Sequence, residues 1–96
     1  MIDVVICSAA EGDYGEALSW YAERSTQTAE RFDAEFDRAL AAIAADPERF
    51  PFCDERHRYY LMRHFPHQVI YRCHENQLVV IAVAHTARRP RYCSDR

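Results

Sequence analysis

Hydrophobic positions change period along this chain. Ile2 to Cys7 is a short apolar run of strand length. From there to about Ser25, Tyr14, Ala17, Leu18 and Tyr21 recur at the spacing of one helical face, with Trp20 beside them. Ser8 with Glu11 three residues on predicts a capping box, while Gly12 and Gly15 weaken the first turns by roughly 1 kcal/mol each relative to alanine. The polar stretch from Ser25 to Thr28 predicts the turn of a helical hairpin. Thr28 to Ala45 is the clearest amphipathic segment. It puts Ala29, Phe32, Phe36, Ala39, Leu40 and Ile43 on one face, and Glu30, Asp33, Glu35 and Asp37 largely elsewhere. Asp46-Pro47 ends it, because a residue before proline is pushed out of the helical region. The Phe50-Pro51-Phe52 loop that follows is expected to tuck its rings against the core.

Beyond Arg56 the period becomes that of strands. Arg58 to His64, Gln68 to His74 and Leu78 to His85 read as three strands joined by the short connections Phe65-Pro66-His67 and Glu75-Asn76-Gln77, an antiparallel meander. Leu78 to Ala84 is an unbroken apolar run, as expected of a strand central in its sheet or buried on both faces. With tight turns, Arg63 would face Ile70 and Ala82, and Leu61 would face Arg72 and Val80. Met62, Val69, Tyr71, Cys73, Val79, Ile81 and Val83 then form the face that receives the helices. Leu61, Arg63, Phe65, Gln68, Ile70, Arg72, Val80, Ala82 and Ala84 form the other. The expected fold is α+β in the order β-α-α-β-β-β, one domain over residues 1 to 96, with the helices on one face of the sheet.

Composition narrows the class. An apolar fraction of 49% with two glycines and four prolines excludes disordered and collagenous chains. No run approaches the roughly 18 apolar residues of a membrane span, and the N-terminus has no export signal, so a cytoplasmic protein without membrane contact is expected. Cys7, Cys53, Cys73 and Cys93 form no C-x-x-C pair and no finger spacing with the five histidines; buried or half-buried thiols are expected, with no metal and no cofactor. The formal charge of −3 conceals a division. Residues 1 to 48 hold 11 acids and 3 arginines, a balance of −8; residues 49 to 96 hold 4 acids, 9 arginines and every histidine, a balance of +5. All the basic side chains are arginine, which suits planar contacts to carboxylate or phosphate. Arg63, Arg72, His85, Arg88, Arg89, Arg91 and Tyr92 are the candidate binding residues. His85, Arg88 and Tyr92 are the candidates for acid-base work.

These residues carry a resemblance. The SWY of the first helix, the A-x-x-F-x-x-x-F of the second, the D-P stop with its FP loop, and HQVIYRC followed by VVIAVAHTARRPRYC together resemble the RelE/ParE superfamily of type II toxins, the ParE-like, plasmid-stabilisation branch in particular. Cys93 stands where that branch often has tryptophan. The superfamily's ribonuclease members cut messenger RNA on the ribosome with basic side chains at positions that fall here near Tyr59 and Leu61, at Gln68 and at Thr86, and with a tyrosine that falls at Tyr92; only the tyrosine is kept. The ParE-like members instead inhibit DNA gyrase without a catalytic site. The resemblance therefore implies a gyrase-directed toxin, with two alternatives: a ribosome-dependent endoribonuclease, or a non-toxic member that only binds its antitoxin. All three imply a ParD- or RelB-like antitoxin, whose C-terminal segment folds along the helical hairpin and the sheet, and a higher-order toxin-antitoxin complex. A groove lined by apolar helix side chains, and poor solubility of the toxin alone, are expected with it.

Overall fold

The computed structural model describes residues 2–87. Strand β1 (Asp3–Ile6) leads into helices α1 (Ser8–Arg24) and α2 (Thr26–Ala45), and a loop then leads to strands β2 (Arg58–Leu61), β3 (His67–His74) and β4 (Gln77–His85). The order is the expected β-α-α-β-β-β. The four strands form one sheet in the order β1-β4-β3-β2, with β1 parallel to β4 and the other neighbours antiparallel. β4, the apolar run, is thus an interior strand.

Each helix starts differently from the expected pattern. Ser8 is already helical, and the cap of α1 is Cys7, which offers no side-chain hydrogen bond; no Ser8–Glu11 capping box forms. The turn between the helices is one residue rather than four. Ser25 closes α1 by donating its N–H to the Tyr21 carbonyl (2.8 Å) and opens α2 by accepting from the Thr28 N–H through Oγ (3.2 Å). The predicted apolar face of α2 holds: Phe32, Ala39 and Ile43 are fully buried, Ala29 and Phe36 nearly so, and Leu40 packs beside them. Glu35 departs from the pattern. It is buried, its carboxylate held by Arg38 at 2.6 Å.

The sheet corrects the expected faces. Its β2–β3 connection is a five-residue loop, residues 62–66, closed by the Met62 N–H on the His67 carbonyl (2.9 Å), so β2 is shorter than expected and Leu61 faces Gln68 rather than Arg72. Arg63 lies in that loop, outside any strand. Ile70 does face Ala82, but the next pair is Tyr71 with Val80, which makes Ile81 an extra residue in β4, a bulge. Beyond it the parity of β4 reverses. Val80 and Leu78 join Met62, Val69, Tyr71 and Val83 in the core under the helices, while Val79 and Ile81 join Ile70, Ala82 and Ala84 on the distal face. Phe65 packs on the helix side, and Cys73 is exposed rather than buried. Phe50 packs against Tyr60 as expected, whereas Phe52 is exposed beneath the Arg58 guanidinium, 3.9 Å from its ring centre.

β1 covers only the first half of one edge of β4, and the start of α1 takes over from it. The Cys7 N–H donates to the Val80 carbonyl (3.0 Å), the Cys7 thiol to the Ile81 carbonyl (3.5 Å), and the Val83 N–H donates to Asp13 Oδ2 (3.0 Å). The edge is therefore satisfied without a longer first strand.

Candidate functional site

Two clefts open on opposite faces of the sheet, the first at the end to which β4 runs and the second farther back along that strand. The first, of about 400 Å³, opens between α1 and β4. Its walls come from one stripe of α1, carrying Asp13, Glu16, Ala17, Trp20 and Tyr21, and from Val83, His85 and His67 on the sheet. Trp20 is 51% exposed, which is unusual for so large an apolar side chain, and the Arg24 guanidinium stacks on it 3.5 Å from the ring centre. Tyr21 lies edge-on to Trp20, Phe65 and His67, so the wall continues into the aromatic core. The hydroxyls of two α1 tyrosines are shifted upward. Burial, then the hydrogen bond and charge of Asp33, push the Tyr14 hydroxyl well above its ordinary range, and burial raises that of Tyr21.

His85 sits on the rim. Its ring lies 5.3 Å from that of His67, its strand partner, and Nδ1 accepts the Ala87 N–H at 3.0 Å. With Nδ1 used as an acceptor, the neutral ring carries its proton on Nε2 and presents a donor to solvent.

The second cleft, of about 700 Å³, lies on the distal face. Its floor is Val79 and Ile81, placed there by the bulge; Arg72 rises from β3, Cys7 and Ala9 close one end, and the 54–57 segment forms the outer wall. That wall is tightly built. Asp54 Oδ1 accepts the N–H groups of Arg56 (2.8 Å) and His57 (2.7 Å), and both its oxygens meet Nδ1 of the buried His57 at 2.8–2.9 Å. Burial alone would raise the Asp54 carboxyl, but these donors outweigh it and hold it well below the ordinary carboxylate range. At the β2 side of the sheet, burial pushes Tyr71 up to about 12, with its hydroxyl donating to the Pro47 carbonyl at 2.6 Å.

The sequence candidates are therefore spread out. Arg63 is exposed in the 62–66 loop at the His85 end, and Arg72 faces Val79, six residues back along β4, or roughly 20 Å away. Arg72 also lies on the opposite face from the His85 cleft. Arg88, Arg89, Arg91 and Tyr92 fall outside the described residues. Of the positions suggested by the ribonucleases, Tyr59 packs half-buried in the distal cluster, Leu61 is exposed, and Thr86 donates its N–H to Pro66. Asp13, Glu16, Asp54 and His57 were missed. The D-x-x-H pattern of Asp54 and His57 was visible as a local turn motif; the α1 acids gave no signal, since they look like an ordinary solvated stripe. Among the described residues no group of three or more His, Cys, Asp or Glu could hold a metal ion, and no helix is long and apolar enough to cross a membrane.

Residues 4–90 match the family described as the ParE toxin of the type II toxin-antitoxin system, parDE. The chain belongs to the ParE toxin family. Among solved structures, the fold is similar to a chain of the chromosomal ParDE toxin-antitoxin system from P. aeruginosa, with a TM-score of 0.78 at 10% identity, covering 88% of this chain and 96% of that one. Comparison with curated proteins gave no match. This ParE-family chain is accordingly the toxin of a type II pair, and an antitoxin is its implied partner.

Proposed function

We propose that this ParE-family toxin acts by binding and inhibiting DNA gyrase, and that its cognate antitoxin silences it by laying a segment that folds on binding into the cleft between α1 and β4. The gyrase target comes from the resemblance of the sequence to the ParE-like branch. The state of His85 is the observation that carries binding over catalysis. A ring whose Nδ1 already accepts a backbone N–H offers Nε2–H as a donor, not a lone pair with which to take a proton.

The cleft suits an amphipathic partner. Exposed Trp20 with Ala17 and Tyr21 provides the apolar anchor expected of a helix-in-groove interface, and Asp13 and Glu16 provide a polar rim. Proximity of this groove to the His85 end of the sheet would let an antitoxin cover the target-binding surface while it holds the toxin in a higher-order complex.

The test is supercoiling by purified gyrase in the presence of the purified chain, alongside translation of a reporter message on ribosomes. Loss of supercoiling with stabilised cleaved DNA, and intact translation, is the expected result. Cleavage of the message with unimpaired supercoiling would overturn the gyrase reading.

A further inference from the structure

The distal cleft is not used by the reading above, and its chemistry points to a ligand of its own. Arg72 is half-buried there, and Arg56 stands on the outer wall. Among the described residues neither guanidinium takes part in an ion pair. Asp54, the acid in the same cleft, is committed to the N–H groups of Arg56 and His57 and to the His57 ring. A guanidinium placed in a partly dehydrated cleft without a counter-ion is costly unless something supplies the charge. The start of α1, where Cys7 gives no side-chain cap, adds the positive end of a helix dipole at the cleft's margin.

We infer that this cleft is a carboxylate-binding site that takes an acidic side chain of a partner peptide, gripped by Arg72 with Arg56. Charge selects the anion: among the side chains that line the cleft two guanidiniums stand against the one carboxylate of Asp54, which matches a monoanion better than a phosphate monoester. Nucleic acid fits less well, because Asp54 and Glu55 lie in the outer wall or beside it and the whole chain carries −3. Size selects a peptide. About 700 Å³ is the scale of a drug-sized ligand rather than of a bare ion, and half-buried Val79, seated beside buried Ile81, offers apolar surface to the aliphatic part of the ligand. The bulge in β4 creates this floor, since a regular strand would turn Ile81 toward the helices. The occupant rests on the toxin-antitoxin assignment: a partner segment with a Glu or Asp between apolar residues, crossing the distal face. It does not depend on gyrase being the target.

Amide spectra of the isotope-labelled chain titrated with acetyl-Val-Glu-Val-amide, with its Gln counterpart, and with a short single-stranded oligothymidylate test the site. The Glu peptide is expected to shift the amides of residues 54–57, 72 and 79–81, and the Gln peptide to bind at least about tenfold more weakly. Arg72→Gln should weaken the Glu peptide by a similar factor. Arg56→Gln, which keeps the backbone N–H that binds Asp54, should weaken it several-fold in a chain whose remaining spectrum is unchanged, so the inference stays testable if the Arg72 variant does not fold. Equal binding of the Glu and Gln peptides, shifts confined to other residues, or stronger binding of the oligonucleotide at the same amides would each overturn it. A failure of gyrase inhibition would leave this titration unaffected.

Discussion

At the scale of single residues, His85 and Asp54 make the sharpest claims. If His85 contributes a donor to a binding surface, His85→Gln keeps a hydrogen-bond donor there and should leave inhibition of supercoiling within a few-fold of the parent, while His85→Phe should weaken it further. An acid-base role predicts instead that both variants lose activity by about 10²–10⁴-fold in a message-cleavage assay. Asp54 links stability to pH. Its carboxyl is depressed in the folded state, so it contributes stability that is fully present above the unfolded aspartate value of about 3.9 and is lost as pH falls below that toward the folded value. Asp54→Asn should therefore cost about 1–2 kcal/mol at neutral pH, and the gap between the parent and the variant should shrink below about pH 4. Urea unfolding of both proteins across that range checks the sign. A gap that widened in acid would contradict the assignment of the hydrogen bonds.

At the scale of elements, turns and bulges decide more than propensity does. The β3–β4 hairpin turns on Glu75 and Asn76, with φ of 46° and 65°, the left-handed pair of a type I′ turn. Asparagine tolerates that conformation and glutamate does so less well. Glu75→Asn should raise unfolding stability by about 0.5–1 kcal/mol, read as a higher denaturation midpoint with an unchanged slope. The same logic explains what the sequence revealed and what it hid. α2 was legible because Phe32, Phe36, Ala39 and Ile43 repeat at helical spacing over about three turns, and one buried acid, Glu35, could not blur the pattern. The end of α2 was legible too, because Asp46-Pro47 has one local cause. The faces of β4 were not. Alternation carries across a strand only while the ladder is regular, and in an all-apolar run nothing in the residues marks the extra one at Ile81. The site divided for a different reason: opposite Val80, as expected, or opposite Val79, as found, Arg72 lies five or six residues back from His85 along β4, too far for the two to share one cluster. The clefts themselves depend on where α1 and the 53–57 segment settle, which is a matter of tertiary packing.

At the scale of the whole molecule, the sheet has one edge covered and one open. The β2 edge is shielded by the loop before it, through the Tyr59 N–H on the Pro51 carbonyl (3.0 Å) and the bridge between Phe52 and Arg58. β1 meets no strand on its outer side among the described residues, and Val4 and Val5 are exposed there. Such an edge invites chain-to-chain pairing. Val5→Lys should raise the concentration at which the isolated toxin stays in solution, with folding stability altered by less than about 0.5 kcal/mol; unchanged solubility would place the cause of aggregation elsewhere, with the Trp20 groove the next surface to alter.

The parallel pairing of β1 with β4 also sets a clock. β1 is made well before its partner Gln77–Val80, with both helices and two further strands synthesised in between. A nascent chain carries its first strand unpaired through that interval, and the sheet closes only once β4 has emerged. Whatever injury the folded toxin does to its cell must wait until β4 has been made, which leaves time for a partner already present to meet it as it folds.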